Sequence, residues 1–371
     1  MEANESAIKE AVVTIKIFGV GDGGNSVLKR ISENNSEPIE LIAINTDMHA
    51  LKRLDSAKVK IMQVGKSTLK GRGTGGNVTL GENAVKRDIG QIKKQVQGSD
   101  IVFVTAGMGG GTGTAIAPIV AQIANELGIL TVGVVTLPFN FEGRQKLRIA
   151  EEGILKMQSY TDALIVIKND NLIKLPENKI VSMMDAFTAA DMILLRAINC
   201  VTELILTTGV INVDFADITT VLRQGESSDA IIGIGYSDKN PLEALQNALK
   251  SPLTDKSLKG SRGIILNVTG DENLSIYDVN EAADYIYKNT ADDVNIIFGT
   301  VLDKSMNGKI RVTIIATDFV NGLTDKTEQE KPKETETVSN GFHLNMPKTP
   351  PQEIGKSIFE MPKFVDRQKK D

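Results

Sequence analysis

The chain has 371 residues, 41% of them hydrophobic, which is enough for two or three domains with a sizeable buried core. Lys and Arg number 42 against 47 Asp and Glu, a net charge of −5 spread along the sequence, which argues against a general polyanion-binding surface and so against nucleic-acid binding. One cysteine, Cys200, excludes a disulfide framework and a multi-Cys metal site, and His49 and His343 fall into no ligand spacing, so no protein-held metal is expected.

Met1 to Glu10 is polar and acidic and lacks an apolar h-region, so a flexible N-terminus over 1–11 and a cytoplasmic protein are expected. From Val12 onward, β-branched runs alternate with segments of helical period, the pattern of a doubly wound, mostly parallel α/β sheet. Strands are predicted at Val12 to Phe18, Glu40 to Asn45, Lys58 to Gln63, Asp100 to Thr105, Leu130 to Thr136 and Ala163 to Ile167, within a first domain over 12–181. Ile101 to Asn125 is charge-free and long enough to span a bilayer, but its five glycines and Pro118 divide it into strand, loop and helix. Ser182 to Thr207 reads as one long helix with Phe187, Leu194, Ile198, Val201 and Ile205 at steps of three, four and seven, a connecting spine over 182–208.

Beyond the spine, runs at Ile231 to Tyr236, Gly263 to Val268, Val294 to Val301 and Ile310 to Thr317 alternate with a helix opened by Pro241 and another at Ser275 to Lys288. These make a second, smaller α/β domain over 209–322. Asp325 to Thr337 contains no apolar residue except Pro332, so 323–353 is expected to be a disordered linker. Ile358, Phe359, Met361, Phe364 and Val365 then cluster around Pro362, which makes 354–371 a short partner-binding peptide; its proline and flanking charges argue against membrane insertion.

Three glycine-rich loops carry the chemistry. Gly19-Val-Gly21-Asp22-Gly23-Gly24 follows a strand and opens a helix, so it satisfies GxGxxG in the required context, and Asp47 offers an acid for a ribose. That pair alone suits a dinucleotide-dependent oxidoreductase or a merely structural tight turn. Thr105 to Thr114 also follows a strand and opens a helix, and Gly71 to Asn77 adds a third anion-binding candidate. Several phosphate-type loops at one sheet edge suggest a nucleoside triphosphate instead. Gly65-Lys66-Ser67 imitates the end of a P-loop, yet Lys60 stands where that motif needs glycine.

Gly109 to Gly113 with Thr114 resembles the GGGTG signature of the tubulin superfamily. Asn45-Thr46-Asp47, Pro138 to Gly143, Asn212 to Asp217, Asp293 to Gly299 and Phe359 to Arg367 resemble its bacterial division branch, the FtsZ family, nearly end to end. The resemblance implies a tubulin/FtsZ-like fold and a GTPase that turns GTP and water into GDP and phosphate, with Mg²⁺ held through the nucleotide phosphates. By the same resemblance, Gly21, Asp22, Gly23, Gly24 and Asn25 cradle phosphates together with Gly109, Gly110, Gly111, Thr112 and Gly113. Gly75 and Gly76 then serve the terminal phosphate, Glu142 the ribose and Asn169 the base, with Asp47 and Lys146 in the same site; an Asn-Asp pair at 169 would equally suit a turn.

Phe187 and Asp191 lie four apart on the spine and share a face. The ring can stack on a base, and the carboxylate can accept from guanine N1–H and N2–H, whereas adenine would set an acceptor against it. Three residues depart from the family pattern: Asp22 replaces a small residue and brings a carboxylate near phosphates, Lys146 stands in place of Arg, and Ala115 in place of Gly.

No glycine loop supplies a general base. Asp214 and Asp217 follow the spine, and spacing alone favours an N-cap with a solvated neighbour. The resemblance instead implies that Asn212, Asp214 and Asp217 complete the site of the next subunit, so that head-to-tail filaments build the active site. It also implies a division ring beneath the membrane at mid-cell, and membrane-associated adaptors such as FtsA, SepF or ZipA-type proteins at the terminal peptide. A polymer-forming GTP-binding protein with degenerate hydrolysis is the remaining alternative, kept open by Asp22 and Lys146.

Overall fold

The computed structural model describes residues 13–34, 38–174, 182–206, 213–225, 227–251, 253, 258, 260–272, 274–290 and 293–319. The expected N-terminal arm, the linker, Asn212 and the terminal residues Ile358, Phe359, Met361, Pro362, Phe364 and Val365 lie outside them.

The chain runs β1 (Ile15–Val20), α1 (Gly21–Asn34), β2 (Ile39–Asn45), α2 (Met48–Leu51), β3 (Lys60–Gln63), α3 (Lys66–Leu69), α4 (Val78–Val85) and α5 (Ile89–Val96). It continues through β4 (Ile101–Gly107), α6 (Gly111–Glu126), β5 (Leu130–Leu137), α7 (Arg144–Gln158), β6 (Ala163–Lys168), α8 (Asn169–Ile173) and α9 (Met183–Leu206). After the spine come α10 (Phe215–Arg223), β7 (Asp229–Ser237), α11 (Pro241–Lys250), β8 (Ser261–Gly270), α12 (Ile276–Asn289), β9 (Asn295–Leu302) and β10 (Ile310–Phe319).

Among the described residues the strands form one ten-stranded sheet in the order β3-β2-β1-β4-β5-β6-β7-β10-β8-β9. The first six are parallel, with Ile15 opposite both Ile39 and Ile101, so the direction of winding reverses between β1 and β4. In such sheets the crevice at the carboxyl ends beside that reversal is where ligands bind. β7 joins β6 in parallel through only Leu164↔Asp229 and Ile165↔Ala230, and β10 runs antiparallel between β7 and β8.

The alternating side chains of β1 show why both faces are covered. Ile15 and Ile17 point with Val27, Leu28 and Ile31 of α1 into one buried layer, while Phe18 and Val20 point with Ile116 and Val120 of α6 into the other. α9 lies in the first layer, where Ile198, Val201 and Leu204 meet Ile265, Ile297 and Ile315 of the second half. A third cluster packs α11 and α12 onto β8 and β10 through Ala244, Ala248, Ala282, Ile286, Leu266 and Val312. Polar contacts clasp α9 to β7 and β8: Arg196 sits 5.4 Å from the Tyr236 ring centroid, and Asn267 Nδ2 donates to Glu203 Oε2 at 3.1 Å. Cys200 is core filling on α9, and burial pushes its thiol up, well above the usual range.

Local chemistry sets the element ends. Asn240 caps α11 by accepting from Glu243 N at 2.8 Å, with Pro241 in the first turn, where its missing N–H costs nothing. Ser275 caps α12 by accepting from Tyr277 N at 3.2 Å. Ala115 falls in the second turn of α6, facing Gly81, whose missing side chain leaves room for its methyl group.

A Cβ on Gly235 of β7 would run into Ala244 O and Ala248 N of α11, backbone atoms that cannot step aside. Gly235→Ala should therefore destabilise the fold by about 1–3 kcal/mol, as overpacking does, and lower Tm by several degrees in a thermal melt.

Candidate functional site

A cavity of about 830 Å³ opens at the carboxyl ends of β1, β4, β5 and β6, at the reversal point of the sheet. The volume is that of a typical ligand site, roughly 300–1,000 Å³. Its floor and walls are largely main chain. Gly23 lies at the start of α1, Gly107 to Gly113 lead into α6, and Gly73 to Gly76 form the far lip.

The glycines are of two kinds. Gly75, Gly76 and Gly110 would point a Cβ into open space, the first two at φ +58 and +81, so they leave the cavity free. Gly21 and Gly23 hold walls together: a Cβ there would lie 2.9 Å from Gly113 N and 3.0 Å from Gly107 N. Gly24 packs against Thr105 O and Gly19, and Asn25 is buried behind the wall, where its Nδ2 donates to Gly19 O at 2.7 Å. Gly21, Gly24 and Asn25 thus stand outside the lining, and they support it.

Asn45 ties the wall to the next strand. Its Nδ2 donates to Asn25 Oδ1 at 2.9 Å and to Asp22 Oδ1 at 2.8 Å, while its Oδ1 accepts from Asp47 N at 3.1 Å. Asp47 caps α2 by accepting from His49 N at 2.8 Å, and Thr46 and Thr112 hydroxyls meet at 2.9 Å. The N-termini of α1 and α6 therefore point unpaired backbone N–H groups and the positive ends of their dipoles at one space.

The lining charge is unbalanced. Asp22, Asp47, Glu142 and Asp191 face one ammonium, that of Lys146. Lys146 Nζ is itself paired with Glu142 Oε2 at 3.0 Å, and Glu142 Oε1 accepts from Phe139 N at 3.0 Å. A phosphate chain here would rest on backbone N–H groups, with its remaining charge offset by a cation it brings along.

At the other end of the cavity, α9 presents Phe187, Ala190, Asp191 and Leu194. The Phe187 ring meets Phe139 edge-on at 5.3 Å and is 40% exposed, which leaves a face free for stacking. Asn169, at the start of α8, is buried in the lining, and its Oδ1 takes no hydrogen bond among the described residues. An orphaned acceptor in this position suits a ligand with a donor.

Three further residues shape this end. Ser26 Oγ donates to Asp191 Oδ2 at 2.7 Å, Arg30 Nε to the same oxygen at 3.1 Å, and Arg30 Nη2 to Thr188 Oγ1 at 3.0 Å. Sequence reasoning missed them, although Ser26 and Arg30 are spaced four apart on the helix that the first glycine loop opens. Burial raises the pKa of Asp191, and the Ser26 and Arg30 contacts oppose that rise.

Asp214 and Asp217 do not line the cavity. α9 carries the chain from Asp191 to Leu206, about 22 Å at 1.5 Å per residue, before α10 begins. Asp214 caps α10 by accepting from Ala216 N at 3.3 Å, and Asp217 lies exposed in its first turn. Arg223, the last residue of α10, donates to Gly128 O at 2.9 Å and pairs with Asp162 at 3.4 Å, just before β5 and β6. That is the amino edge of the sheet, opposite the cavity.

Arg30→Met would leave the partly buried Asp191 carboxylate without its cation, at a cost of about 1–3 kcal/mol near neutral pH. The loss should shrink on acidification, because the variant's Asp191, its pKa raised further, escapes by taking a proton. Thermal melts at neutral pH and at about pH 5 check both halves of this expectation.

Comparison with known proteins agrees with this architecture. The family model for the Tubulin/FtsZ family GTPase domain matches residues 14–177, and that for the FtsZ family C-terminal domain matches 228–320. An FtsZ dimer from M. jannaschii, solved empty, is 35% identical, with a TM-score of 0.80, over 89% of this chain and 96% of that one. A point variant of FtsZ from M. jannaschii is 37% identical, with a TM-score of 0.79, over 85% and 96%. CetZ2 from Haloferax volcanii, solved as a GTPγS-bound protofilament, shares the fold at 18% identity and a TM-score of 0.69, over 85% and 96%. Domain matches in this order, with identity above a third along most of the length, set the dinucleotide reading aside: the chain belongs to the Tubulin/FtsZ family of GTPases.

Proposed function

We propose that this chain is a GTP-dependent, self-polymerising division protein whose active site is completed by the next subunit of a filament. The observation that carries the reading is the placement of a nucleotide-sized cavity and an exposed aspartate pair at opposite ends of α9. A subunit stacked with its amino edge on its neighbour's cavity brings Asp214 and Asp217 to the phosphates, which its own chain cannot do. Such a contact joins two different surfaces and repeats without closing, so it grows a filament.

Within one subunit the roles divide by chemistry. Backbone N–H groups of Gly23 and Gly109 to Gly113 bind the phosphates, and Gly75 and Gly76 close over the terminal one. Phe187 stacks on the base, Asp191 accepts from guanine N1–H and N2–H, Asn169 Oδ1 takes a further donor, and Glu142 with Lys146 lies toward the ribose. Mg²⁺, arriving with the nucleotide, offsets the charge that Asp22 and Asp47 add to the phosphate wall. Asp214 and Asp217 of the next subunit orient and deprotonate the attacking water. In the cell, filaments of this kind gather into a ring beneath the membrane at the future septum, and the peptide over 354–371 recruits membrane-associated adaptors of the FtsA, SepF or ZipA type.

The trans arrangement is tested by complementation. Asp214→Ala and Asp217→Ala should each bind GTP but lose about 10²- to 10⁴-fold in turnover, the usual worth of general-base assistance. Gly110→Asp, which sets a carboxylate where the Cβ has open space, should lose binding, and mixing it with Asp214→Ala should restore part of the activity. Filaments that never release phosphate would favour degenerate hydrolysis instead, a reading that Asp22 in the phosphate wall supports.

Guanine selection is tested separately. Asp191→Ala should narrow the gap between GTP and ATP affinity, and in the unmodified protein that gap should close on acidification at a higher pH than an exposed aspartate would give, because burial raises Asp191. Equal wild-type affinity for the two nucleotides contradicts it. Deleting 354–371 should leave hydrolysis near wild type while abolishing co-sedimentation with an adaptor on liposomes.

A further inference from the structure

Asp22 and Asp47 add two carboxylates to the phosphate wall, and the one ammonium in the lining, that of Lys146, is already paired with Glu142. A terminal phosphate brings further negative charge, which the partial charges at two helix N-termini offset only in part. The third glycine loop holds a cation beside this space. Arg72 is exposed, and its guanidinium makes no ion pair or hydrogen bond among the described residues.

The chain on either side fixes where Arg72 stands. Met48 N donates to Gly71 O at 3.1 Å, which ties the residue before Arg72 to the residue after Asp47. Thr74 is buried against the second glycine loop: a Cβ on Gly111 would run into its Oγ1 and would lie 2.9 Å from Asn77 N. Arg72 and Gly73 alone lie between these two anchors, on a short span from Asp47 to Gly111, both of which line the cavity. The Arg72 Cα is about 3.8 Å from that of Gly73, itself a lining residue. Neither neighbour carries a side chain that would bar the arginine, and a Cβ on Gly73 would meet open space. Arg144, also without an ion pair among the described residues, opens α7 beside Glu142 and Lys146, the pair read as lying toward the ribose.

We propose that Arg72 is a catalytic residue, whose guanidinium turns into the cavity when GTP binds and donates two hydrogen bonds to oxygens of the terminal phosphate. The inference rests on the nucleotide placement given above and adds the group that tells GTP from GDP. A planar fork of N–H donors matches phosphate oxygens two at a time, and GDP offers no terminal phosphate for it to hold. In hydrolysis the water oxygen bonds to the terminal phosphorus as the bond from that phosphorus to the oxygen it shares with the middle phosphate breaks. GDP departs with the electron pair, and the water's proton passes to an aspartate of the next subunit. Arg72 neither gains nor loses a proton; it offsets the charge spread over the terminal oxygens in the transition state.

The test uses the full chain with Mg²⁺ and compares GTPγS with GDP in equilibrium binding, below the concentration at which filaments form. Arg72→Met should lose about tenfold or more in GTPγS affinity, the worth of a charge-assisted hydrogen bond, while GDP binds as it does to wild type. Arg72→Lys should fall between the two, because the charge remains and the fork is gone. Under filament-forming conditions with saturating GTP, Arg72→Met should lose about 10³-fold in turnover, the low end of what an arginine on a transferring phosphoryl group contributes. Mixing Arg72→Met with Asp214→Ala should restore turnover, since one supplies aspartates and the other an intact cavity. Mixing it with Gly110→Asp should not, since both are damaged on the cavity side. Unchanged GTPγS affinity in Arg72→Met, or an equal loss for GDP in both variants, would overturn the proposal. So would rescue by Gly110→Asp, which would assign Arg72 to the aspartate side. Wild-type turnover that does not depend on filaments would count against the trans reading alone, because the binding comparison is made on isolated subunits.

Discussion

A 24-residue helix holds the two ends of this molecule at a set distance, and most of its behaviour follows from that separation. The helix α9 starts in the cavity with Phe187 and Asp191 and ends on the far edge of the sheet, with Ile198, Val201 and Leu204 buried against strands of both halves along the way. Shortening the gap would mean unpacking that layer, whose apolar side chains each contribute about 1.5–3 kcal/mol by burial. The nucleotide end and the aspartate end thus cannot meet within one chain.

The cavity depends on close backbone approach. Gly21 against Gly113 and Gly23 against Gly107 draw two loops together until their N–H groups face one space, and the Asn25–Asn45–Asp22 relay keeps them there. The wall is built mainly of main chain, and its surplus of carboxylates means that a phosphate chain bound there would need its charge offset by a cation from outside the wall. Asp191 is the exception, a carboxyl group whose pKa burial raises, while hydrogen bonds from Ser26 and Arg30 favour its ionised form.

Much of this was legible in the sequence. The strands, the spine and the glycine loops follow from period and composition, since an α-helix repeats at 3.6 residues and a phosphate loop needs residues without side chains. What escaped notice depended on distance through space. Gly24 and Asn25 belong to the same motif as Gly23, yet the first turn of α1 rotates them away from the cavity. Ser26, Arg30 and Thr188 gain meaning only once α1 packs beside α9. The second half was expected as a smaller α/β domain joined by the spine helix, and it is one; what the sequence did not show is how it is joined, with β7 continuing the sheet through two residue pairs and both halves sharing the layer around α9.

If the aspartate end of one subunit completes the cavity of the next, an isolated subunit is an incomplete enzyme. The direct measurement is phosphate release per subunit as total protein concentration is varied at saturating GTP and Mg²⁺. Negligible turnover below a threshold concentration, followed by a constant rate per added subunit above it, is the predicted result, with the threshold matching the onset of filament formation by light scattering. A rate per subunit that stays unchanged down to concentrations at which no filaments form would contradict the account.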